Sequence, residues 1–164
     1  MKTKTSLTRT MCLKTMAGRL STAGAFGLWL LVLALPALAQ TQDYSYTNQN
    51  GAITITRYTS FGGAVTIPNT INGLPVTGIG SYAFTSCASL TSVMIPSSVA
   101  SIGTFAFGKC TSLTAITVDT NNRAYSSVDG VLFDKGQTTL IQYPAGKTGG
   151  YAIPDSVTAI GNVA

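Results

Sequence analysis

Hydrophobic positions in the middle of the chain follow an order that is spelled out twice, 23 residues apart. Ile79-Gly80-Ser81-Tyr82-Ala83-Phe84 runs on through Cys87 to Leu90, and Ile102-Gly103-Thr104-Phe105-Ala106-Phe107 runs on through Cys110 to Leu113. Each copy is followed by a short alternating run, Leu90-x-x-Val93-x-Ile95-Pro96 and Leu113-x-x-Ile116-x-Val118-Asp119. Alternation with β-branched residues on one side predicts strands, and a proline ends a strand because it has no N–H to give to a ladder. A unit of this size cannot bury its apolar face alone, so the repeat predicts a solenoid whose coils cover one another. The register places Phe84, Cys87, Leu90, Val93, Ile95, Ile102, Phe107, Cys110, Leu113 and Ile116 in the repeating core.

Partial copies flank this pair. Val65-x-Ile67-Pro68 and Tyr151-x-Ile153-Pro154 predict further strands, with Tyr151 in the register of Val93. Val76-x-x-Ile79-Gly80, Val99-x-x-Ile102-Gly103 and Val157-x-x-Ile160-Gly161 predict a second short segment in each coil. Ser81 and Thr104 stand where an N-cap would start one short helical turn, which carries Ala83-Phe84 and Ala106-Phe107 inward. Ahead of the repeats, Tyr44-Ser45-Tyr46-Thr47 and Ile53-Thr54-Ile55-Thr56 alternate on either side of Asn48-Gln49-Asn50-Gly51. Asn-Gly tolerates positive φ at both turn positions, so this stretch predicts a hairpin that closes the first coil.

Two insertions break the period. Five extra residues, with a turn at Asn72-Gly73, lie between Pro68 and Val76. A larger one, 35 residues beyond one repeat, separates Ile95-Pro96 from Ile153-Pro154. Within it Val131-Leu132-Phe133 and Thr138-Thr139-Leu140-Ile141 flank Asp134-Lys135-Gly136-Gln137, predicting a hairpin that projects from a coil or replaces part of one. Insertions in solenoids often form the binding face.

The N-terminus alters the composition. Lys2, Lys4, Arg9, Lys14 and Arg19 precede an apolar run from Ala23 to Ala39, and Ala37-Leu38-Ala39 presents small residues where signal peptidase looks. This predicts a signal peptide over 1–39 with cleavage between Ala39 and Gln40, and no stable membrane span afterwards. Five of the ten basic residues leave with it while all five aspartates remain, so the mature chain is neutral. Clustered Lys and Arg, the footprint of nucleic-acid binding, are then missing. The rest divides into a hairpin cap over 40–62 and a solenoid over 63–164, interrupted at about 119–148. The expected fold is mainly β with short helical turns. Ala164 aligns with Ala83 and Ala106, so the repeat breaks off before its Phe, and the last coil is expected to be incomplete.

The phrases that carry the period are Ile95-Pro96, Ser98-Val99-Ala100-Ser101-Ile102-Gly103, Ala106-Phe107-Gly108-Lys109-Cys110 and Ser112-Leu113-Thr114. Over about residues 63–164 they resemble the BspA-like leucine-rich repeat proteins, a bacterial and protist cell-surface group. The resemblance implies a strand-lined solenoid, export, and adhesion or partner binding, with no catalytic motif to transfer. Asp119-Thr120-Asn121-Asn122 departs from the pattern, since no proline starts that segment.

Candidate chemistry is sparse. Without His or Glu, triads and glutamate-based acid–base pairs are absent, and Asp129 with Asp134 is the one aspartate pair close in sequence for a glycan-directed enzyme. Asp119, Asn121, Asn122 and Asp129 offer oxygens but not the spacing of a calcium loop. No cofactor or metal is expected. Cys87 and Cys110 recur in one slot of successive coils, read as reduced buried thiols or, alternatively, as a disulfide in an exported chain. Tyr44, Tyr46, Tyr58, Tyr125, Tyr143 and Tyr151 supply rigid amphipathic rings, and Tyr125 and Tyr143 beside the insertion are the leading binding candidates. The functional expectation is a secreted or surface-displayed module binding an unknown protein or surface ligand. The alternative is a passive spacer in a longer exported protein. Intact-mass analysis of extracellular protein is expected to give a chain starting at Gln40; retention of Met1–Ala39 in that material would refute the export reading.

Overall fold

The computed structural model describes residues 43–161; the expected signal peptide and its cleavage site lie outside them. Among the described residues there are twelve strands and no helix: β1 (Tyr44–Gln49), β2 (Ala52–Tyr58), β3 (Gly63–Thr66), β4 (Thr70–Ile71), β5 (Leu74–Ile79), β6 (Leu90–Ile95), β7 (Ser101–Ile102), β8 (Ala115–Val118), β9 (Tyr125–Val128), β10 (Val131–Asp134), β11 (Thr139–Gln142) and β12 (Ala159–Ile160). They form a β-solenoid with two parallel ladders. In the first, β3, β6 and β8 stack so that Val65, Val93 and Ile116 share one register. In the second, β2, β5 and β7 align Ile55, Ile79 and Ile102.

β1 and β2 form the antiparallel hairpin that Asn50-Gly51 predicts, with φ of 54° and 81° at those residues. β2 then pairs in parallel with β5, so the hairpin is the first coil of the stack. Its tyrosines start an internal column of rings. Tyr44 leans on Tyr58 at 5.6 Å, Tyr58 stacks on Phe84 at 5.1 Å, and Phe84 stacks on Phe107 at 5.3 Å. All four are buried. Leu90, Val93, Ile95, Cys110, Leu113 and Ile116 surround the column, and Cys87 and Ile102 pack against it half-buried.

The helical turns expected after Ser81 and Thr104 do not form. Tyr82 and Phe105 have φ of 62° and 55°, and a left-handed residue stops a right-handed helix at its first turn. The chain instead makes tandem tight turns: Ala83 N–H donates to Gly80 O, Thr85 N–H to Tyr82 O, and Cys87 N–H to Phe84 O. The next coil stacks directly on this one, with Tyr82 N–H donating to Thr104 O and Phe84 N–H to Ala106 O. The approach is closest at Gly103, where a methyl group would run into the backbone of Gly80 and Ser81.

The departure at Asp119 is smaller than its sequence implies. Asn122 N–H donates to Asp119 O at 2.9 Å, the same turn that Val99 and Val157 make to Pro96 and Pro154. Asn122 occupies the slot of Val99, and only 1% of it is exposed. Its side-chain amide donates to Pro96 O at 2.8 Å and Val99 O at 2.9 Å, while its Oδ1 accepts from the N–H groups of Ala124 and Tyr125. One polar side chain thus bolts the third coil to the second.

After Tyr125 the large insertion replaces part of a coil. β9, β10 and β11 form an antiparallel meander whose inner side meets β8, with Ile116 N–H donating to Gly130 O at 2.8 Å. Leu132 joins the main core, and Val131, Phe133 and Leu140 make a second one with Val128, Tyr143, Tyr151 and Val157. β12 pairs in parallel with β11, and Gly161 N–H donates to Leu140 O just as Gly103 N–H donates to Ile79 O. The strand expected over Tyr151-x-Ile153 is missing, because the meander occupies the edge of β8 on which that strand would stack.

Phe107→Ala is expected to cost ~3–5 kcal/mol, since it empties a slot in the ring column. Asn122→Val restores the apolar slot but strands two carbonyls and two N–H groups, with an expected cost of ~2–3 kcal/mol. Denaturant midpoints test both; an Asn122→Val chain as stable as the parent would contradict the bolt.

Candidate functional site

Three kinds of surface carry side chains capable of recognition. The first is the outer face of β3, β6 and β8. Ala64, Ser92 and Ala115 form one row across the strands, and Thr66, Met94 and Thr117 the next. The residues between them point inward, so the face is uncharged and built from small and hydroxylated groups around Met94. Thr117 Oγ donates to Val93 O at 3.3 Å, tying the face to the ladder beneath it. Gly130, in the turn between β9 and β10, presses against Ala115 and borders the face on one side.

The second comprises two depressions. One, about 490 Å³, is lined by Ser97, Ser98, Val99, Ala100, Asn121, Arg123 and Ala124, and lies over the Asn122 bolt. The other, about 270 Å³, is lined by Leu140, Tyr143, Tyr151, Ile153 and Ile160. Tyr143 meets Tyr151 ring to ring at 5.5 Å, and the Tyr151 hydroxyl is buried with no hydrogen-bond partner. Burial pushes that hydroxyl's pKa up, with Asp129 and Tyr143 adding to the effect.

The third is the tandem-turn stack. It presents Tyr82 and Phe105 with 56% and 42% of their surfaces exposed, rings parallel to within 7° and centroids 5.6 Å apart. The repeat register assigns Phe84 and Phe107 to the core and leaves Tyr82 and Phe105, two residues earlier in each copy, without an assignment. Their positive φ turns them outward, a feature of the backbone alone.

The sequence-predicted candidates are scattered. Tyr125 lies in the slot of Ile102, its ring against the main core; burial raises its pKa, partly offset by the Ile102 backbone. Tyr44 and Tyr58 are core residues, and Tyr46 accepts a hydrogen bond from Asn72 at 2.7 Å. Asp134 accepts from Thr138 N–H at 2.8 Å, Thr138 Oγ at 2.9 Å and Thr139 N–H at 2.6 Å. Desolvation acts to raise its carboxyl, but the bonds from Thr139, Thr138 and Gly136 outweigh it and hold the pKa below the usual range. Asp134 ends β10, whereas Asp129 lies in the turn between β9 and β10. No cluster of three or more His, Cys, Asp or Glu stands among the described residues. Asp119 accepts from Asn121 N–H, and both of Asn122's polar atoms are committed to the backbone.

Cys87 and Cys110, the two cysteines among the described residues, are both free. Cys110 is buried and donates to Phe84 O at 2.9 Å, whereas Cys87 is half-buried. Burial pushes the Cys110 thiol from 9.0 to about 11, partly offset by a backbone hydrogen bond at Cys87; the Cys87 thiol rises for the same reason, eased by Arg57.

A family model for the BspA type leucine rich repeat region matches residues 42–148 in six copies. Among solved structures, the chain is 40% identical to the T. pallidum leucine rich repeat protein TpLRR over 50% of this chain and 39% of that one, with a TM-score of 0.47. It is 38% identical to a leucine rich cell surface protein from Faecalibacterium prausnitzii over 49% of this chain and 23% of that one, TM-score 0.44. It is 26% identical to the pneumococcal vaccine antigen PcpA over 60% of this chain and 29% of that one, TM-score 0.52. The chain thus spans well under two thirds of each of these three proteins. No curated protein matches it.

Thiol reagents are expected to modify Cys87 in the native protein and Cys110 only on unfolding; equal native rates would contradict the burial difference. The unfolded Cys110 thiol ionises near 9.0 and the folded one near 11, so its contribution to stability is complete below the first value and lost as pH rises through the second. Stability of the parent should therefore fall more steeply over that window than that of Cys110→Ala.

Proposed function

Taking as premise that the chain belongs to the BspA-type leucine-rich repeat family, we propose that it is an exported, surface-displayed module that binds a protein ligand rather than catalysing a reaction. The carrying observation is the outer face of β3, β6 and β8, where an exposed row of Thr66, Met94 and Thr117 and a partly exposed row of Ala64, Ser92 and Ala115 are fixed by a hydrogen-bonded ladder. Such a face needs little ordering on association, so contact area is not offset by lost freedom. The description of the Faecalibacterium prausnitzii relative as a cell surface protein supports display outside the cell.

The test uses the mature chain, immobilised against soluble extracellular-matrix proteins and against intact cells. Saturable retention with a dissociation constant of roughly micromolar or tighter is expected. Met94→Lys and Thr66→Lys place charge on the uncharged rows and should weaken it at least tenfold without changing the thermal midpoint. No saturable retention on any surface would make the chain a spacer and end this proposal.

A further inference from the structure

We propose that the exposed Tyr82–Phe105 stack, on tandem turns that carry Lys109 and hydrogen-bond to β2 next to Arg57, is a docking surface for an acidic, aromatic-bearing segment of a partner protein. The inference deepens the binding-module reading and rests on it. Tyr82 and Phe105 occupy one slot in successive coils, so the pitch of the solenoid fixes their separation. Each gives one ring face to the other and leaves much of its remaining surface open. Both residues have positive φ, a conformation that glycine or asparagine adopts with less strain. Neither ring belongs to the buried core, which Phe84 and Phe107 fill. The tandem turns of the repeat put non-glycine residues at positive φ, and at these two positions that residue is an exposed aromatic ring.

The charges nearby favour one kind of partner. Arg57 is exposed on β2 beside the turn, where Tyr58 N–H donates to Ala83 O at 2.7 Å. Lys109 is exposed four residues beyond Phe105 in the second copy of the turn. Four of the five aspartates lie at or beyond Asp119; only Asp43 precedes it. A protein segment with carboxylates beside an aromatic side chain would extend the stack and pair with the two cations. The turns that carry the rings, residues 80–87 and 103–110, contain none of the Asp or Asn groups that grip sugar hydroxyls, which favours a protein segment over a glycan.

The experiment measures binding of the full mature chain to a random glutamate–tyrosine copolymer by fluorescence anisotropy. Polyglutamate and heparin serve as comparisons. The copolymer should bind at least tenfold more tightly than polyglutamate, and added salt should weaken it. Tyr82→Asn with Phe105→Asn removes both rings while suiting the left-handed backbone, so the fold is kept; affinity should drop at least tenfold with the thermal midpoint unchanged or raised. Arg57→Gln with Lys109→Gln should lower affinity and flatten the salt dependence. Copolymer binding that survives loss of both rings overturns the proposal, as does the absence of copolymer binding. Tighter binding to heparin than to copolymer overturns it in favour of an anionic glycan. If the stack variants keep full binding to the matrix panel, the module reading stands and this surface is excluded from it.

Discussion

Every coil of this protein is one layer thick and covers its apolar side chains only by lying on the next coil. The spacing of that stack is set by backbone hydrogen bonds between ladders, about 4.8 Å apart. Everything packed inside must therefore be flat or slender along the stacking direction. Phenylalanine rings satisfy this when they lie face to face, as Phe84 and Phe107 do. The same limit excludes a Cβ at Gly103, where two coils touch through their backbones. It also explains how Tyr44 and Tyr58 act together as a lid: the hairpin places both over Phe84, and a ring column without them would expose its uppermost face.

Turn chemistry then decides what faces outward. Tandem turns need residues with positive φ, and this chain places Tyr82, Ser86, Phe105 and Lys109 there. The stacking of these turns aligns their side chains into rows, so a surface feature in one coil is repeated in the next. The outer face of β3, β6 and β8 is ordered by the same logic, with Thr66, Met94 and Thr117 in one line. A repeat scaffold gains surface regularity at no extra cost in core design, which suits binding more readily than catalysis.

The insertion shows how much irregularity the stack tolerates. Asn122 replaces a core valine and remains buried because four backbone groups satisfy both ends of its amide. The meander that follows closes the edge of β8 and offers β11 as a new template, on which β12 resumes the ladder. The repeat is interrupted in sequence, but the hydrogen-bond pattern at Leu140 and Gly161 is that of Ile79 and Gly103.

The sequence by itself determined the repeating core, the first hairpin and the hairpin within the insertion, because local alternation and Asn-Gly turns need no distant partner to be legible. It also identified Phe84 and Phe107 as one buried slot, but the equal spacing of Cys87 and Cys110 did not reveal that the first is half-buried and the second buried. Only the tertiary structure decided that the turns after Gly80 and Gly103 are not helical, that Tyr82 and Phe105 face outward, and that Tyr125 packs inward. The period gives the slot but not the sign of φ, and that sign selects the side of the coil on which a side chain emerges. It likewise decided that Tyr151 lacks its strand and that Asn122 is a bolt rather than a ligand. Both depend on which backbone edge is already occupied, a property of chain segments brought together only by folding.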